Sequence, residues 1–238
     1  MNLRKFGWVI AIIAAGSLSV LAQDMFGGLE STSRKGAKAG DVNIPEIKDV
    51  IVQADFNTDY KDETDAAAKA DLKDAIEGSV TFVVDVPFKK IVKHMQDPGT
   101  LGKISPNISS YKAEKANEDA ATVHYKVHEE LVPFKIPLVT LGKSTVNLDL
   151  TITKAFLSRG RLVVDYSLDK EQQNDWKRFS GSIYGVDLHN GKTMVMVATS
   201  TKSNYTILPG VRLKLAKHFL GKTKDNIVAW VKNLEAGN

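Results

Sequence analysis

Chemistry in this chain would have to come from a short roster of side chains, and the five histidines come first. His124 and His128 stand four residues apart in an alternating stretch, so both fall on one face, with Glu130 beside them. Imidazoles and a carboxylate are the donors that hold zinc. The spacing defeats that reading. Four residues of extended strand span about 13 Å, too far for two donors on one ion, and the plainer reading is an exposed polar face. His94 and His189 lie near turns and His218 in a helical pattern, and none has a partner visible in sequence. There is no cysteine, which excludes thiol catalysis, disulfides and Cys-ligated metals. Gly99-Thr100-Leu101-Gly102 lacks the Gly-Lys-Ser/Thr ending of a phosphate loop. No catalytic set, metal site or cofactor motif emerges.

The N-terminus carries an address. Residues 1–6 hold Arg4 and Lys5 and no acid, residues 8–15 are apolar, and Val20-Leu21-Ala22 offers small residues for cleavage. This is the three-part pattern of a secretory signal peptide. The apolar run is shorter than the roughly 20 residues of a membrane span, which disfavours an anchor. The expected mature protein starts at Gln23, exported, with the periplasm the favoured destination over the medium. Loss of Arg4 and Lys5 lowers the formal charge from +4 to about +2. With lysines scattered among acids, no basic face for nucleic acid stands out.

The elements follow from periodicity. Residues 23–40 are rich in Gly, Ser and Lys and read as a flexible leader. Residues 47–56 form an apolar patch that fits a strand or a short helix. Residues 62–77 are Ala-rich, with acids first and Lys later, and predict a helix stopped by Gly78. The compact domain is expected over 78–238. Residues 80–86 read as a strand, and Pro87 opens a short helix with Phe88, Ile91, Val92 and Met95 on one side. Asp97-Pro98-Gly99 should break that helix, leaving a loop over 102–107 before a strand at 109–116. Asn117-Glu118-Asp119 should then turn the chain.

Three alternating runs follow, 121–131, 145–156 and 161–168, with the period of a sheet wet on one face. Residues 131–141 are too rich in proline for a central strand, and read as an apolar loop over the domain or toward a membrane. His189-Asn190-Gly191 joins two more strands, as Asn-Gly does in hairpins. Residues 209–234 close the chain as an amphipathic helix, with Val211, Leu215, Phe219, Ile227, Trp230, Val231 and Leu234 on its apolar side.

Particular stretches carry a likeness. Val84-Asp85-Val86-Pro87-Phe88 with Gln96-Asp97-Pro98, then Ile104-Ser105-Pro106-Asn107-Ile108, and finally Phe179-Ser180-Gly181-Ser182 with Leu208-Pro209, follow one another in a familiar order. Over about residues 78–234 the chain resembles the START/polyketide cyclase-like (SRPBCC, helix-grip) superfamily. The resemblance implies an α+β fold, a curved antiparallel sheet wrapped around a long C-terminal helix, with a hydrophobic ligand such as a lipid or sterol held between them. The expected cavity residues are Leu148, Leu150, Ile152, Leu162, Val164, Tyr166, Met194, Met196, Val211, Leu215 and Phe219. Tyr166 could offer a phenol to a ligand hydroxyl, and Met194 and Met196 could adapt to its shape; core packing is the plainer reading for all three. The resemblance implies a carrier of apolar molecules with transient membrane contact and no cofactor. A cyclase/aromatase-like enzyme, or an interaction module with a filled core, are the alternatives.

Overall fold

A computed structural model describes residues 51–136, 139–204 and 207–235. The expected signal peptide and the first part of the leader lie outside these residues. Residues 57–74 belong to a small unit of their own. It holds a 3-10 turn (Asp59–Lys61) and a helix, α1 (Ala66–Leu72). The Asp65 carboxylate caps α1, accepting from the Ala68 N–H at 2.7 Å. This helix is shorter than its composition predicts. The acids Asp62 and Glu63 precede the cap, and Ile76 already belongs to a strand.

The larger unit is built on one sheet of eight strands. In chain order these are β1 (Ile51–Phe56), β2 (Ile76–Val84), β3 (Ile108–Glu118), β4 (Thr122–Leu131), β7 (Ser144–Thr153), β8 (Arg161–Leu168), β9 (Trp176–Asp187) and β10 (Thr193–Ser203). Their order across the sheet is β1-β2-β10-β9-β8-β7-β4-β3, and every neighbour is antiparallel. Two elements differ from expectation here. The patch left open between strand and helix is β1, paired with β2 from Ile51↔Thr81 to Phe56↔Ile76. It therefore belongs to the sheet, although the expected domain began only at residue 78. Gly78 ends no helix and sits inside β2. Cross-strand pairing overrides the local helical bias of the preceding alanines.

Two helices link β2 to β3: α2 (Phe88–Met95) and α3 (Pro98–Ile104). Asp97-Pro98-Gly99 ends one and starts the other. The Asp97 carboxylate accepts from the Gly99 N–H at 2.9 Å, and Pro98 occupies the first turn, where its missing N–H costs nothing. The loop expected from residue 102 is thus helical as far as Ile104. The turn after β3 falls at Asp119, whose carboxylate accepts from the N–H groups of Ala121 and Thr122 at 2.7 Å each. The proline-rich stretch after β4 is a small separate ribbon, β5 (Phe134–Ile136) and β6 (Val139–Leu141). Asn190-Gly191 makes the hairpin between β9 and β10, with Gly191 at φ +82°. At the β3 edge, residues 114–118 are exposed, and Glu118 takes Lys115 at 2.8 Å and Lys154 at 2.9 Å.

The chain ends in α4 (Pro209–Glu235), which packs along β2 and β1. Leu215, Leu220, Ile227 and Val231 are its buried residues. Close approach is licensed by Gly78. A Cβ there would stand 2.7 Å from Leu220 Cδ1 and 3.0 Å from the Gln53 carbonyl oxygen. Further along, the Asn226 amide donates to the carbonyls of Ile104 and Ser105 at 3.2 and 3.4 Å, tying α4 to the end of α3. Gly78→Ala should therefore cost about 1–3 kcal/mol in urea unfolding. Combined with Leu220→Ala, it should cost clearly less than the sum of the two single changes; strict additivity would show that the Gly78–Leu220 contact does not set the approach.

Candidate ligand cavity

Every second residue of a strand faces the same side of the sheet. On the side covered by α4, β7 presents Leu148 and Leu150, β8 presents Val164 and Tyr166, and β10 presents Val197 and Thr199. Ile183 of β9, Leu101 and Ile104 of α3, and Leu215, Ala216 and Phe219 of α4 complete an apolar wall. They enclose a cavity of about 210 Å³. That is below the roughly 300–1,000 Å³ usual for ligand clefts, so an elongated ligand requires the walls to part.

Of the residues expected around such a cavity, Leu148, Leu150, Val164, Tyr166, Leu215 and Phe219 stand in its wall. Ile152 and Leu162 face the same side but are packed into the core, each 1 % exposed. Next to Leu162, Gly185 leaves room for Phe88 of α2, which fills this end of the sheet. Met194 and Met196 fall on the opposite face, because Val195 and Val197 take the two inward places. Val211 lies outside the wall, where α4 instead contributes Arg212 and Leu215.

The wall also holds a polar pole that the aliphatic pattern did not announce. Glu129 is 5 % exposed and lines the cavity. Its strand neighbour across β3 is Tyr111. Among the described residues no hydrogen bond or ion pair reaches the Glu129 carboxyl, and burial pushes it up to about 7. The Tyr111 hydroxyl and the Asn107 Nδ2 are buried without a partner, and both residues line the same cavity. Burial, with Glu129 and Asp97 nearby, pushes the Tyr111 phenol far above its ordinary value. The Tyr166 phenol is pushed up to about 12 by burial, although Thr199 hydrogen-bonds it. Tyr166 crosses β9 at Gly181, where a Cβ would stand 2.5 Å from its hydroxyl. A signal for Glu129 was present in the sequence. Val123, Tyr125 and Val127 alternate inward, and two further residues bring the pattern to Glu129.

The outer histidines are held by neutral groups. His124 lies 3.0 Å from the hydroxyls of Thr122 and Thr151, and His128 Nδ1 lies 2.8 Å from Asn147 Oδ1. Among the described residues no group of three His, Cys, Asp or Glu could hold a metal ion.

This arrangement of sheet and helix has solved counterparts. Human StAR-related lipid transfer protein 5 superposes with a TM-score of 0.57 at 10 % identity, over 92 % of this chain and 100 % of that one. The chain has the START-like helix-grip fold. The STAR-related lipid transfer protein from Xanthomonas axonopodis superposes with a TM-score of 0.51 at 11 % identity, over 66 % of this chain and 86 % of that one. No family model matches the sequence, and no curated protein matches it significantly. START-like resemblance at this identity is a statement about backbone architecture.

The lone carboxyl has a thermodynamic signature. Its folded value, about 7, lies above its ordinary 4.5, so the folded state holds this proton more tightly than the unfolded one. Stability from this group is complete below about 4.5 and lost as pH rises through about 7, about 3 kcal/mol in all. Chemical unfolding of wild type should weaken from about pH 5 to 8 relative to Glu129→Gln. A constant difference between the two across that window would show that Glu129 is not held protonated by burial.

Proposed function

We propose that this protein binds a hydrophobic ligand, such as a lipid or sterol, between its sheet and α4, and that it serves as an exported carrier. The observation that carries the reading is the cavity of about 210 Å³ walled by aliphatic and aromatic side chains beneath α4. A domain whose only task was to pack would be expected to close such a space, since voids cost dispersion contacts. This weighs against the filled-core alternative. The two lipid transfer proteins of the same fold lend support by likeness of architecture. Each buried CH₂ of an acyl chain would contribute about 0.8 kcal/mol, so even a short chain could be retained.

The export half of the proposal rests on residues 1–22, and the favoured destination is the periplasm. An apolar cargo needs protection in any aqueous compartment, and loading would require transient contact with a membrane. The cyclase-like alternative has less behind it. Among the described residues Glu129 is the one acid in the wall, and no histidine joins it there.

Mature protein recovered from the exported fraction should begin at Gln23 and carry co-purifying lipid in native mass spectra. Ala216→Phe, which places a ring into the cavity from α4, should retain the folded spectrum and lower that occupancy by at least about 10-fold. A protein that stays ligand-free after mixing with total lipid extract would sink the carrier reading. Intact Met1 in the cytoplasmic fraction would sink the export reading separately, and intact Met1 in the membrane fraction would replace cleavage by anchoring.

A further inference from the structure

We propose that Glu129 makes this cavity selective for a single-chain lipid with an uncharged head that both donates and accepts a hydrogen bond, such as a hydroxyl, and selective against the carboxylate of the same chain. The proposal rests on the reading of the cavity as a hydrophobic ligand site. It deepens that reading by assigning the chemistry of the ligand's head.

Buried polar groups in folded proteins nearly always have partners, and each exception calls for an explanation. Three exceptions gather here: the carboxyl of Glu129, the hydroxyl of Tyr111 and the Nδ2 of Asn107. They come from neighbouring strands, Tyr111 pairing directly with Glu129 and Asn107 preceding Ile108, the partner of Leu131. Together they offer two donors and one carboxyl. A hydroxyl can accept from Tyr111 or Asn107 and donate to Glu129 in the same pose. A carboxylate would bring a second negative charge beside Glu129 in apolar surroundings, where like charges cannot both remain ionised.

The other titratable groups of the wall are Tyr111 on β3, Tyr166 on β8 and Arg212 on α4. Burial raises both phenols, the second to about 12, so neither ionises near neutrality. The Arg212 guanidinium stacks over the Phe56 ring at 5.4 Å, at the β1 side of the sheet. Lys103 of α3 and Lys214, Lys217, His218, Lys222 and Asp225 of α4 are exposed, and Lys224 pairs with Asp225. Glu129 is therefore the wall group whose charge changes in the neutral range.

The test compares 1-decanol and decanoate on the mature chain, read by tryptophan fluorescence, with Trp176 in the cavity wall. At about pH 8.5, decanol should bind at least about 10-fold more tightly than decanoate. The gap should narrow to within about 3-fold near pH 6, where decanoate is still ionised and Glu129 is not. Glu129→Gln should show the narrow gap at both values; the wild-type pH series stands as a separate test should that variant fold poorly. Decanoate binding as tightly as decanol at the higher pH, or a gap indifferent to both pH and substitution, would overturn the selectivity while leaving the cavity as a ligand site. Failure of both to bind folded protein would overturn the cavity reading itself.

Discussion

The structure depends on how far α4 is allowed to sink onto the sheet. At Gly78 nothing but a hydrogen stands between β2 and Leu220, so helix and strand touch. At Asn226 the helix is bound to the carbonyls that end α3. Between these anchors and its first turns, Leu215, Ala216 and Phe219 face β7 to β10 across open space. The apolar surfaces of sheet and helix are thus satisfied by direct contact along part of their length and by enclosure along the rest. A deeper approach would fill the cavity, and a shallower one would expose it to water. In β2 the missing side chain of Gly78 is what permits the closest of these contacts.

The cavity is not uniformly oily, and this has a cost in stability. An isolated carboxyl at 5 % exposure, a phenol without a partner and an amide without a partner each forgo hydrogen bonds that water would have supplied. A chain selected for stability alone would be expected to place aliphatic residues at these positions. Unmet polar capacity in a protein interior is common where binding competes with folding.

Much of this was legible in the sequence, and the failures have local physical causes. The alternation over β4, β7 and β8, the Asn-Gly hairpin and the final helix are period signals, and the structure follows them within a few residues. Met194 and Met196 lie outward against expectation because β10 alternates Met with Val, two apolar types, so hydropathy cannot say which pair faces inward. β2 supplies the answer through register, with Val197 opposite the buried Val80. Ile152 and Leu162 face the right way but lie toward α2, and distance along a strand from a cavity is not written in its pattern. Glu129 was passed over for the opposite reason, since an acid at an inward position breaks the hydropathy rule that finds such positions. β1 was ambiguous because an apolar run of this length fits strand or helix until a partner strand claims it.

The β3 edge has a consequence for how copies of this molecule meet. An unpaired edge strand presents N–H and C=O groups that another chain could extend into a continuous sheet. Along the second half of β3 any such neighbour would have to desolvate Lys112, Glu114, Lys115 and Glu118, several of them already joined in ion pairs. At the other margin, α4 lies along β1. At the β3 rim the sheet is open in topology yet guarded by charge, which makes that edge a poor template for aggregation.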